Sequence, residues 1–260
     1  MEDDIIKEFF NESRGHLATI EADLLAIEEA GENPCDELVN KVFRAAHSIK
    51  GGSGFFGLVK INELAHKAET VLDMLRSGQI KANAEVTKVL LVAFDQLREM
   101  INHPAEREGA DISELVVGLI KLASSYLPAA AKASLTQYVS LPGAVGTEPV
   151  ILPQMDFERA LRNGQCVYEV RYDLIHDIDR KGMNILKIFR EVEDCGEILD
   201  CRTDFTGVGT LESPIGNQLP LVMIYASTVA RQIIHEVLLV DAGQVVLLFD
   251  PAVEHKTAAG

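Results

Sequence analysis

The segment AAHSIKGGSGFFGL, residues 45 to 58, puts a histidine three positions before a lysine, with glycines directly after the lysine. Near neutral pH, imidazole offers a lone-pair ring nitrogen as a nucleophile, and a lysine one helical turn away supplies positive charge for an anionic group arriving there. On a helix advancing about 100° per residue, His47 falls about 180° from the apolar stripe Leu38, Val42, Ala45, Ile49, Gly52 and Phe56. Lys50 (about 120°), Gly51 (about 220°) and Gly54 (about 160°) share the His47 side. Each glycine in a helix interior costs roughly 0.5 to 1 kcal/mol relative to alanine, so Gly51, Gly52 and Gly54 give up helix stability to bare the backbone beside one imidazole. The expectation is a smooth surface on which a partner's active site closes over an exposed His47.

The next helix supplies a complement. Measured from Ile61, its apolar stripe centres near about −25°, with Glu69 at about 80° and His66 at about 140°, on a flank suited to face the His47 helix. A carboxylate accepting one ring N–H sets the tautomer and leaves the other nitrogen as nucleophile. Lys50 would neutralise phosphoryl oxygens. The blander readings are an ordinary surface histidine and a solvated helix face. KGGSG lacks the order and the preceding strand of a P-loop. His16, His103, His176, His235 and His255 have no partners at metal-ligand spacing, and Asp173, Asp177 and Asp179 lack the glycine and terminal glutamate of an EF-hand, so no metal site is expected.

The elements that hold these residues are helical over residues 1–126, an antiparallel bundle of about five helices. Ile6, Phe9, Ser13, Leu17, Ile20, Leu24 and Ile27 form one stripe ended by Gly31. Asn33-Pro34 opens the second helix, Ile61 to Leu75 mark the third, Asn83 caps a fourth, and Asp111 with Glu114 starts a fifth. Residues 127–164 degrade into Ala, Pro, Gly, Ser and Thr and read as a linker, with a short helix near Phe157 to Leu161. In residues 165–250, CVYEVRYDL, a helix from about Lys181 to Asp194, EILDC, QLPLVMIYAS, TVARQIIHEVL and QVVLLF give a ferredoxin-like βαββαβ order, followed by a tail, 251–260.

A formal net charge of −16 over 260 residues, spread through both halves, argues against binding nucleic acid or an anionic membrane. No apolar run reaches the ~18 residues that span a bilayer, and the acidic MEDDIIKEFF start does not read as a secretory signal. Cys35, Cys166, Cys195 and Cys201 lie far apart or at spacings that match no metal motif, and a chain this long needs no disulfides to hold a core, so idle thiols in a reducing cytoplasm are expected.

FRAAHSIKGGSGFFGL followed by LAHKAETVLDMLRSG resembles the histidine phosphotransfer (HPt) domain of the CheA-type chemotaxis histidine kinases. The resemblance implies that His47 carries the phosphoryl group and that Lys50, His66 and Glu69 surround it with hydrogen bonds. It implies two partners, a histidine kinase core domain and a response regulator receiver domain, with ATP on the first and Mg²⁺ on the second; the chain itself would need no cofactor. Residues 165–250 are weakly similar to the ferredoxin-like domain that docks a response regulator in that family. Nothing after residue 130 resembles the dimerisation helices or ATP-binding elements of the kinase core. The chain is therefore expected not to phosphorylate itself, and to be either an N-terminal piece of such a kinase or a stand-alone phosphotransfer protein. Alternatives are a stand-alone phosphorelay adaptor outside chemotaxis, a ligand-sensing regulator built on the βαββαβ domain, and an inert helical scaffold.

Overall fold

The computed structural model describes residues 2–31, 35–103, 109–143, 148–179, 181–203 and 218–252. The chain divides into two compact units, Met1–Leu135 and Thr136–Gly260.

The first unit is a helical bundle: α1 (Glu2–Ala30), α2 (Asp36–Phe55), α3 (Val59–Arg76), α4 (Ala84–Asn102) and α5 (Ser113–Tyr126), then a single turn, α6 (Ala129–Lys132). The expected stripes form its core. Phe9, Leu17, Ile20, Leu24 and Ile27 of α1 are buried, as are Ile61, Leu64, Ala65, Ala68, Leu72 and Leu75 of α3 and Val86, Leu90, Phe94, Leu97 and Ile101 of α4. Gly31, Gly57 and Gly78 stop α1, α2 and α3 at φ of 62°, 65° and 73°, the left-handed region that residues with a Cβ avoid. Asn83 caps α4, its side chain accepting the backbone N–H groups of Glu85 and Val86, both at 3.0 Å. Two starts differ from expectation. The N-cap of α2 is Cys35, and Asn33 and Pro34 lie outside the described residues. The N-cap of α5 is Ile112, while Asp111, one residue earlier, accepts the Ser113 N–H at 3.0 Å.

Pairings between α2 and α3 show why the helices run antiparallel: Lys50 meets Asn62, His47 meets Glu69 and Phe43 meets Arg76, one number falling as the other rises. The α1/α4 contacts Leu17 to Arg98 and Arg14 to Asn102 follow the same rule.

The second unit begins with a hairpin, β1 (Tyr138–Leu141) and β2 (Val150–Pro153), and α7 (Gln154–Arg162). A sheet follows: β3 (Cys166–Asp173), α8 (Ile185–Glu193), β4 (Glu197–Thr203), β5 (Pro220–Ser227), the single turn α9 (Ile234–Val237) and β6 (Val245–Phe249). The strand order β4-β5-β3-β6, with every neighbour antiparallel, is the ferredoxin-like arrangement. On one face Tyr168, Tyr172 and Tyr225 are buried, and their hydroxyls donate to the carbonyls of Val229 (3.4 Å), Leu238 (2.8 Å) and Val192 (2.6 Å).

Residues 127–164, expected as a linker, carry α6, the hairpin and α7. Leu141, Leu152 and Ala160 from this stretch form one core cluster with Val167, Leu199, Ile224 and Ala226 of the sheet. The second sheet face is therefore covered, and Glu169 of β3 is buried on it and paired with Arg171. The helix expected over TVARQIIHEVL is the one turn of α9, and α8 starts at Ile185, capped by Asn184. Asp173 and Asp177 lie around a π-helical turn, Leu174–Asp179, where they accept backbone N–H groups.

Candidate functional site

The site lies where α2 crosses α3. His47 Nδ1 is 3.1 Å from Glu69 Oε1, and Lys50 Nζ is 3.2 Å from the same oxygen and 3.0 Å from Oε2. A carboxylate can only accept, so the contact with His47 puts the ring proton on Nδ1 and the lone pair on Nε2. Glu69 is fully buried, and such a charge is tolerated only when paired, which Lys50 provides. His47, Lys50 and Glu69 are thus brought together. His66 is half-buried one turn before Glu69, and its backbone carbonyl accepts the Thr70 hydroxyl at 3.0 Å.

The flank of α2 opposite its stripe turns toward Glu69 of α3. One expectation about the glycines is corrected. Gly52 serves packing rather than partner access. A Cβ there would sit 2.4 Å from Cε2 of the buried Phe9, so the missing side chain lets α1 seat against α2.

Other residues of the site carry no signal in spacing or type that marks them. Asn62 Nδ2 donates to the Lys50 carbonyl at 2.7 Å and Ser53 Oγ to the same oxygen at 2.9 Å, clamping the backbone that carries Lys50. The Phe43 ring lies nearly parallel to the His47 imidazole, at 14° with centroids 6.0 Å apart. The Arg76 guanidinium sits 3.9 Å from the Phe43 centroid and bonds Asp73 at 2.7 Å.

Comparison with known proteins gives this geometry a context. Residues 4–103, which hold α1 to α4 with His47, Lys50 and Glu69, match the Hpt domain. "Chemotaxis protein CheA" of Rhizobium meliloti (strain 1021) is 35% identical over 218 residues, covering 76% of this chain and 28% of that protein. "Chemotaxis protein CheA" of Bacillus subtilis (strain 168) is 28% identical over 199 residues, covering 73% of this chain and 28% of that protein. "Sensor histidine kinase CheAY" of Helicobacter pylori is 36% identical over 99 residues, covering 38% and 12%. Over these residues the chain is similar to an N-terminal CheA-like region that carries an Hpt domain. It spans about a quarter of the length of the first two relatives. Among the described residues, no helix is long and apolar enough to cross a membrane.

Proposed function

We propose that His47 accepts a phosphoryl group from a histidine kinase core and passes it to an aspartate of a response regulator receiver domain. The observation that supports this most is the Nδ1 contact with Glu69, which leaves Nε2 as the nucleophile. In the first transfer, the Nε2 lone pair attacks the γ-phosphorus of ATP on the kinase core, a P–N bond forms and the P–O bond to ADP breaks. Positive charge develops on the ring; the Glu69 carboxylate stabilises it while Nδ1 keeps its proton, and Lys50 faces the phosphoryl oxygens. In the second transfer the aspartate attacks phosphorus, the P–N bond breaks, and Mg²⁺ on the receiver offsets the charge. The α/β unit, on this reading, docks the regulator and raises its effective concentration.

The test is to supply the chain with ATP and a CheA-type kinase core. One acid-labile, base-stable phosphate is expected, discharged by a response regulator with Mg²⁺. His47→Gln abolishes labelling by removing the nucleophile; a phosphate that persists in that variant overturns the assignment.

A further inference from the structure

The two contacts of His47 on its own helix and on α3 differ in kind. Glu69 holds one edge of the imidazole by hydrogen bonding, whereas Phe43, one turn earlier on α2, lies alongside its flat face. An imidazole turns about its Cβ–Cγ bond in a broad, roughly two-fold torsion, and the Glu69 contact at 3.1 Å acts on one edge of the ring rather than on its plane. A parallel aromatic neighbour restricts that rotation, since a turned ring drives its edge toward the neighbour.

Phe43 is itself held. It is 5% exposed, and the Arg76 guanidinium rests 3.9 Å from its ring centroid. Arg76 is the last residue of α3, where its charge also favours the helix C-terminus, and its side chain is tethered to Asp73 one turn back at 2.7 Å. The order of contacts is Asp73, Arg76, Phe43, His47, linking the end of α3 back to the phospho-accepting ring. At the other end of the same crossing, Asn62 clamps the Lys50 carbonyl, so α2 and α3 are tied on both sides of the His47–Glu69 contact.

We propose that Phe43 and Arg76 are positioning residues for His47: Arg76, anchored by Asp73, holds the Phe43 ring, and that ring keeps the imidazole turned with Nδ1 on Glu69 and Nε2 as the reacting atom. The kinetic side of this inference rests on the phosphotransfer reading; the orientation of the ring does not. Neither residue touches the transferred group. Their loss acts on the fraction of molecules whose ring is correctly turned, and so on kcat with little change in KM for the kinase core.

The experiment uses the full chain and two readouts. The first is the ¹⁵N and ¹H spectrum of the histidine rings, with His47 assigned from the His47→Gln protein. In the wild type, His47 should show one Nδ1–H tautomer; in Phe43→Leu, which keeps apolar bulk but loses the flat face, its nitrogens should move toward a mixed-tautomer average. Arg76→Met should do the same to a smaller degree, and Arg76→Lys, which keeps a cation for the ring, should recover the wild-type spectrum. The second readout is phosphorylation by a CheA-type kinase core, where a cation–π contact of this size implies a drop in kcat of about three-fold for Arg76→Met, with KM unchanged and recovery in Arg76→Lys. Amide spectra and urea midpoints establish that each variant is folded; if Phe43→Leu does not fold, the Arg76 pair carries the test. A folded variant series in which the His47 tautomer stays single throughout overturns the proposal. So does a loss that Arg76→Lys leaves unrepaired. A wild-type chain that takes no phosphate refutes the phosphotransfer reading, while the ring spectra still decide the positioning.

Discussion

Glu69→Gln separates the two jobs of the carboxylate. The side chain keeps its shape and one accepting oxygen, so the bond from His47 Nδ1 survives in neutral form while the charge facing Lys50 disappears. Glu69 is fully buried, and its pairing with Lys50 at 3.0 Å is lost. Removing one partner of a buried ion pair costs about 3 to 5 kcal/mol. The retained neutral hydrogen bond offsets about 1 kcal/mol of that. A loss of about 2 to 4 kcal/mol is therefore expected, read from urea unfolding of the helical unit. Adding Lys50→Met to Glu69→Gln removes the cation that Glu69 paired with and should restore most of the stability. It should not restore phosphorylation: the ring proton is now held by a neutral acceptor, weaker by about 1 to 1.5 kcal/mol, which is roughly ten-fold in rate. The reasoning fails if the double variant is no more stable than Glu69→Gln alone. It fails equally if the double variant recovers wild-type labelling.

Gly52→Ala should lower stability by about 1 to 3 kcal/mol despite the better helix propensity of alanine, because its Cβ meets the Phe9 ring at 2.4 Å; pairing it with Phe9→Leu should recover most of the loss in urea midpoint. A fragment of residues 165–250 should bind hydrophobic dyes and aggregate, whereas 136–250 stays folded, since Leu141, Leu152 and Ala160 cover the sheet; equal behaviour of the two fragments would contradict that packing. The Asp111 carboxyl is held below its ordinary value, chiefly by the hydrogen bond from the Ser113 backbone N–H. Its stabilising share is therefore present above the unfolded value of 3.8 and is lost as pH falls through the lower folded value; Asp111→Ala should remove that acid-side dependence and speed amide exchange in the first turn of α5.

The helical unit was legible because its apolar residues recur at three and four over long stretches, and the α1 stripe from Phe9 to Ile27 is buried. His47, Lys50 and Glu69 were legible because the site is built from two consecutive helices, and one wheel per helix locates their flanks. Phe43 and Arg76 escaped, since an aromatic one turn before a histidine and an arginine at a helix end are ordinary local patterns. In residues 127–164 the strands are four residues long and set among small residues, too short for alternation to stand out; only the burial of Leu141 and Leu152 against the sheet reveals them. The βαββαβ order was legible from longer strands, but the length of α9 was not.

The three tyrosines buried in the sheet give the chain a natural optical label. With no tryptophan and five tyrosines in all, its near-ultraviolet signal comes largely from Tyr168, Tyr172 and Tyr225, each in the α/β unit and each bonded to a backbone carbonyl. Burial pushes all three phenols well above their ordinary value of 10.0, so the folded unit retains protons that the unfolded chain releases. The stability this confers is intact below pH 10 and declines as alkali carries the solution toward the folded values. An alkaline absorbance titration should therefore register the three sheet tyrosines only well above the ordinary phenol value. Far-ultraviolet ellipticity at the same pH follows the helices, so unlabelled protein allows the unfolding of the two units to be timed separately in one cuvette.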